Sequence, residues 1–183
     1  MKESKSFQLK FENIPLLNLR RDFQVFKTIV GELLEEGDHE RVLHSTRYHR
    51  DAIDLEADFN HWMRLSIMGL ESYIKGAVAL SPREHGQSEA VRAALKNPVK
   101  ASAQGNVCKA FYNYLPSLIN ENYSLLERNN SLYDRNLTFY SEVRHPLFHG
   151  YDAAKIQPAG LKTFCDHLEA MYQWIDSWYT LDS

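Results

Sequence analysis

The chain has 183 residues, within the size of a single domain, and its 44% hydrophobic content is enough for one real core. With 25% charged residues and a formal net charge of −3, the composition excludes a basic nucleic-acid coat and an acidic solvating tail, so any nucleic-acid contact has to be local. Two cysteines, Cys108 and Cys165, lie far apart and outside any CxxC-type spacing, which excludes a disulfide framework and a cysteine zinc site and fits a reducing cytosol.

The opening "MKESKSFQLKFENIPLL" interrupts its apolar residues with charges and so lacks the apolar h-region of a secretory signal. No stretch reaches the roughly 18 apolar residues of a membrane span, and the expectation is a cytoplasmic protein. Residues 1–17 read as an N-terminal extension that is extended in part. Within it only "SFQLKFE", residues 6–12, alternates with period two, and this single strand has no evident pairing partner.

Beyond it the helical period takes over. Leu19, Phe23, Phe26, Val30 and Leu33 recur at steps of three and four, with Asn18 as N-cap and Gly37 as terminator. A second stripe begins near Asp54 and carries Phe59, Met63, Ile67, Leu70, Ile74 and Val78. "GQSEAVRAALKNP" predicts a short helix stopped by Asn97-Pro98. Val107, Phe111, Leu115 and Leu118 open another run in which Pro116 predicts a kink or a new helix start. Ser131 to Val143 is helical, with Tyr133, Leu137 and Tyr140 on its inward face. The last stripe is the widest: Leu161, Phe164, Cys165, Leu168, Met171, Tyr172, Ile175, Trp178 and Tyr179 make a face suited to a bundle core or a subunit interface. The expected fold is therefore all-α, a helical bundle over residues 1–183 with no internal repeat.

The chemistry gathers in "SEVRHPLFHGYD", residues 141–152. Continuing the inward stripe from Tyr140 by four residues reaches Arg144, and a guanidinium on an apolar face needs a carboxylate, a phosphate or carbonyl groups, or must snorkel to an edge. Pro146 lacks an N–H and disfavours helical geometry at His145, which predicts a break and a helix restart. His149 then falls in the first turns of the new helix, where the positive end of the dipole attracts anions. In an unbroken helix, five residues at about 100° each would leave Arg144 and His149 on different faces, so the break is what lets them converge. A planar guanidinium that grips phosphate, beside an imidazole that exchanges protons near neutral pH, is a minimal toolkit for cutting RNA without metal, because the ribose 2′-OH supplies the nucleophile.

"RHPLFHGY" resembles the R-x4-6-H signature of the HEPN superfamily, all-α domains common in bacterial toxin–antitoxin, abortive-infection and CRISPR-associated systems. Arg144 and His149 match its paired active-site residues, and His149-Gly150 matches the frequent His-Gly ending. Close matches to the signature have Asn or another polar residue after the Arg; here His145 stands there and is assigned a supporting hydrogen bond. The motif covers eight residues; "GLESYIK", residues 69–75, is compatible with the family, and the rest of the match is architectural. The resemblance implies a homodimer with two facing motifs, metal-independent cleavage of RNA leaving a 2′,3′-cyclic phosphate and a 5′-OH, and no cofactor. Tyr151 completes R-x4-H-x-Y, the subtype in which a partner nucleotidyltransferase adds AMP to the tyrosine; the plainer role is a tyrosine that packs its ring and exposes its hydroxyl. Two roles without catalysis stand beside the ribonuclease: a helical module that binds RNA, a nucleotide or an antitoxin-like protein partner, and an Arg144 and His149 that only stabilise the bundle.

Competing constellations are weaker. His145 and His149, four apart, have the spacing of a metal pair with Asp152 as third ligand, but the expected break at Pro146 argues against a shared face, and no metal site is assigned. "DHERVLHSTRYHR", residues 38–50, holds three arginines and three histidines and reads as a solvated connector before a phosphate-contacting surface. His61 and His167 read as satisfied structural histidines, the cysteines as small hydrophobes, and Trp62, Trp174 and Trp178 as core or interface residues. Absence of a Gly-rich phosphate loop and of a G-x-S-x-G elbow argues against ATPase, dinucleotide and serine-hydrolase chemistry.

Overall fold

Apolar stripes at helical spacing have to be buried against one another, and in the computed structural model they are; it describes residues 7–9, 14–36, 52–81, 88–149 and 158–181. Helix α1 (Ile14–Glu36) packs along α2 (Ala52–Leu80), and α8 (Pro158–Asp176) lies against both. Between α2 and α8 in sequence come α3 (Glu89–Lys96), α4 (Pro98–Ser102), α5 (residues 107–117), a 3₁₀ turn (Glu121–Tyr123), α6 (Leu125–Arg128) and α7 (residues 130–149). The architecture is an all-α bundle.

The core is the meeting line of the stripes. Phe23, Phe26 and Val30 of α1, Met63, Ile67, Leu70 and Ile74 of α2, and Phe164, Leu168, Met171 and Ile175 of α8 are all buried. Each such side chain contributes roughly 1.5–3 kcal/mol from removal of apolar surface from water. Arg20 Nη2, 2.8 Å from Glu169, and Gln24 Nε2, 2.9 Å from it, tie α1 to α8 at the edge of this core. No helix among the described residues is long and apolar enough to cross a membrane.

Several boundaries differ from the sequence expectation. Helix α1 starts at Ile14, with Pro15 in its first turn where a missing N–H costs nothing, so Asn18 lies inside the helix rather than capping it. The side chain of Leu33 and Gly37 lie outside what is described. The stop at Asn97 is as expected: Ser88 caps α3 by accepting from Val91 N (3.2 Å), and Asn97 leaves helical geometry and caps α4, accepting from Lys100 N (3.0 Å). In the last stripe, Trp178 and Tyr179 fall beyond the helix end, Trp178 in the closing turn and Tyr179 in a strand, yet both stay buried.

The strand expected alone has a partner. β1 (Phe7–Leu9) pairs in parallel with β2 (Tyr179–Leu181), with Phe7 opposite Tyr179 and Leu9 opposite Leu181. A parallel pair requires a long crossover, which here is the helical bundle itself.

Helices α5 and α7 share an unusual construction. Each contains a π turn, Ala110–Tyr114 in α5 and Tyr140–Arg144 in α7, and each has a proline two residues after it, Pro116 and Pro146. Leu115 N–H reaches back five residues to Ala110 O, and His145 N–H reaches Tyr140 O in the same way. An ordinary α-helix rejects an internal proline because the ring meets the carbonyl four residues earlier and one hydrogen bond is lost. A wider turn just upstream redirects those carbonyls and accommodates the ring. Neither Pro116 nor Pro146 therefore breaks its helix: Leu115 and His145 keep right-handed helical geometry, and α7 runs on to His149.

Candidate functional site

Arg144 does meet a carboxylate. Its Nε donates to Glu71 Oε1 on α2 at 3.0 Å, with both side chains about five-sixths buried (16% and 15% exposed). Burial disfavours the guanidinium's charge, but Glu71 more than offsets it and holds Arg144 above its ordinary pKa, so it is a permanent cation. The planar group lies between two aromatic rings, 5.1 Å from the Tyr140 centroid and 4.7 Å from that of Phe148. Only Nε is engaged; the terminal nitrogens have no hydrogen-bond partner among the described residues.

The two π turns build the support behind this cation. Tyr140, from the turn in α7, donates its hydroxyl to the same Glu71 oxygen at 2.8 Å, and lies 3.1 Å from the hydroxyl of Tyr112, from the turn in α5. The two rings meet edge to face at 5.5 Å. Burial pushes both phenols well above their ordinary pKa, with Glu71 adding to the effect, so they remain neutral hydrogen-bonding groups. Arg64 Nε, on α2, donates to the carbonyl of Leu147 at 2.6 Å and satisfies one of the carbonyls that the end of α7 leaves unpaired.

Arg144, His145 and His149 border one cavity of about 430 Å³, whose facing wall includes Gly105, Asn106 and Cys108. Gly105 sits at φ +62°, a left-handed turn that glycine adopts without strain. Both histidines are exposed, and their rings stand 4.4 Å apart. Cys108 is buried and its thiol is pushed up to about 12 by burial, against a smaller opposing effect of its Asn136 contact and of Arg144, so it is no nucleophile at neutral pH.

The residues expected from the sequence come together, but by a different route. No break separates Arg144 from His149: the π turn ends at Arg144, the α-helix continues from His145 to His149, and both side chains still border one cavity. His149 lies in the last described turn of α7 and not in the first turns of a new helix. His145 shares a face with His149 despite Pro146, contrary to the argument against a metal pair; no third ligand group joins them among the described residues, and Asp152 lies outside these. Tyr151 and residues 38–50 also lie outside the described residues. Leu137, expected on the inward face, is exposed and borders the cavity; Asn136 and Phe139 take the buried positions. His167 is satisfied and buried as expected, whereas His61 is exposed, and Trp62 is 38% exposed while Trp174 and Trp178 are buried.

Glu71, Tyr112 and Arg64 were not singled out by the sequence. The one signal for Glu71 was a carboxylate following Leu70 and four residues beyond Ile67, next to an apolar stripe, just as Arg144 continues one.

No protein-family model matches the chain, and no curated protein or solved structure matches it.

Proposed function

We propose that the protein is a metal-independent endoribonuclease of the HEPN type, acting as a homodimer in the cytoplasm of a bacterium as part of a defence or toxin–antitoxin system. The observation that carries this reading is a fixed arginine, its terminal nitrogens without a partner among the described residues, bordering the same cavity as two exposed histidines. Arg144 would grip the scissile phosphate and offset the charge that develops on its oxygens. His149 would take the proton from the ribose 2′-OH as that oxygen attacks phosphorus, or return one to the departing 5′-oxygen, with His145 as a supporting hydrogen-bond partner. The 2′-oxygen–phosphorus bond forms, the bond to the 5′-oxygen breaks, and the products are a 2′,3′-cyclic phosphate and a 5′-OH. In a dimer the two cavities would face each other, each copy supplying an Arg144 and a His149. AMP addition at Tyr151 by a partner nucleotidyltransferase would be the corresponding silencing step.

The experiment is incubation of the purified protein with single-stranded RNA in EDTA. Cleavage to cyclic-phosphate ends is expected, and His149→Ala should abolish it with the far-ultraviolet helical spectrum unchanged, since the side chain is exposed. Undiminished cleavage by that variant would remove His149 from the mechanism. A second reading is favoured by one observation: the Glu71 carboxylate already offsets the charge of Arg144. On that reading the cavity binds RNA, a nucleotide or a protein partner without cutting, and RNA retention would depend on Arg144 with no product at any protein concentration.

A further inference from the structure

A second cleft, of about 280 Å³, opens between α1 and α2 and is also lined by Tyr172 of α8. Phe23 of α1 and Trp62 and Leu65 of α2 give it apolar walls, and Trp62 is steadied by a parallel contact with Phe26 at 6.2 Å. Its polar side chains are Asp22, Ser66, Ser72 and Tyr172, and Asp22 is the one charged residue along it among those described. Tyr172 is fully buried, yet its hydroxyl has no hydrogen-bond partner among the described residues. Gly69, which also lines the cleft, puts no side chain beside that oxygen; a Cβ there would stand 3.5 Å from it, in ordinary contact. A buried hydroxyl without a partner is a standing cost, and the cleft gives a partner access to it.

The polar groups specify a donor. Ser66 gives its own hydrogen to the carbonyl of Trp62 at 2.8 Å, so toward the cleft its oxygen can only accept. The Asp22 carboxylate only accepts as well, and it has no ion-pair or hydrogen-bond partner among the described residues. Burial holds the Tyr172 phenol above its ordinary pKa, opposed by Arg20 and aided by Asp176, Asp22 and Glu169, so it stays a neutral hydroxyl. Arg20 lies 4.6 Å over the Tyr172 ring, but Glu169 at 2.8 Å and Asp176 at 3.4 Å offset its charge. Its Nη1 also lacks a partner, yet Arg20 is not part of the cleft wall. Lys27 shares Glu169 at 3.4 Å, so the two cations and two carboxylates behind Tyr172 balance and Asp22 is left as the net charge. A ligand that donates, carries positive charge and buries an apolar body against aromatic rings is an amine. The volume stands at the low end for ligand pockets, which span roughly 300–1,000 Å³, and suits a single ring or a short alkyl chain.

We infer that this cleft binds a small primary amine with an aromatic or short alkyl body, its ammonium between the Asp22 carboxylate and the Tyr172 hydroxyl and its body against Phe23 and Trp62. The Ser66 oxygen is a third acceptor for the three N–H groups. No residue lines both this cleft and the Arg144 cavity, and Gly69 and Glu71, two positions apart on α2, face about 160° away from each other. The inference therefore does not rest on ribonuclease activity.

Isothermal titration of the full-length protein at pH 7 with 2-phenylethylamine and with hexylamine tests it. Saturable binding of at least one is expected, with the matching alcohol, 2-phenylethanol or hexanol, roughly tenfold or more weaker and 3-phenylpropanoate weaker still. Asp22→Asn, at an exposed position, and Tyr172→Phe, which keeps the ring and removes a hydroxyl that has no partner, should each weaken amine binding by a similar factor. The ligand comparison uses the unaltered protein, so it stands even if a variant folds poorly. Absence of saturable binding by both amines at millimolar concentration, binding of the alcohol or the carboxylate as tight as that of the amine, or full amine affinity in either folded variant would overturn the inference. Cleavage assays on the same preparations report separately on the ribonuclease.

Discussion

At the scale of single residues, Glu71 decides what Arg144 can do. A guanidinium as buried as that of Arg144 must be held by a fixed counter-charge, or it would swing to solvent and lose its aim. Glu71 provides that charge through one oxygen, which Tyr140 also shares. Glu71→Gln keeps the shape and removes the charge; it should lower unfolding stability by about 1–3 kcal/mol, read as a shift in the urea midpoint, with RNA cleavage or retention falling alongside. A midpoint unchanged within error would mean that the pair does not anchor the arginine. The sequence made plain that Arg144 needs a partner, because its position on an apolar stripe is costly alone. It could not name Glu71, because spacing rules act within a helix and this pair joins two helices 73 residues apart in the chain.

At the scale of elements, the two π turns explain why the expected break is missing. A break at Pro146 follows from a rule that holds for regular α-helices, in which the ring meets the carbonyl four residues back. The turn at Tyr140–Arg144 moves that carbonyl aside, and α7 continues. Nothing in the local composition marks a π turn, since it arises from one hydrogen-bonding shift that neighbouring helices stabilise. Pro146→Ala should accordingly leave the helical ellipticity at 222 nm unchanged, and should raise stability by less than the ~3 kcal/mol gained when an ordinary mid-helix proline is relieved. A marked gain of helical signal would show that the proline does interrupt α7. The β1–β2 pair escaped notice for a related reason: both segments are three residues long, and their pairing joins regions near opposite ends of the sequence.

At the scale of the whole molecule, the stripes of α1, α2 and α8 were legible because burial repeats along them every three to four residues, and among the described side chains nearly every apolar position read from them lies in the core. That core also makes the fold sensitive to acid. An unfolded chain protonates its histidines near pH 6.5, whereas His167 in the fold does so only near pH 4. Between these values the unfolded state binds the extra proton, so the contribution is full above pH 6.5 and is lost as the pH falls toward 4, on the order of 3 kcal/mol in all. Urea midpoints at pH 7, 5.5 and 4.5 should show this decline, and His167→Gln should flatten it; parallel curves for the two proteins would remove His167 as its source. The π turn in α7 bears on something else again, the lengths the chain can tolerate. A π turn holds about one residue more than an α turn, so excising Ser141 would close it into an α turn and leave the helix after it near its present facing. Arg144 would stay toward Glu71, and His145 and His149 toward the cavity. Between Arg144 and His149 the helix is regular, and the same loss there would turn everything after it by about 100° about the helix axis, so the spacing of the site is tolerant before Arg144 and inflexible after it.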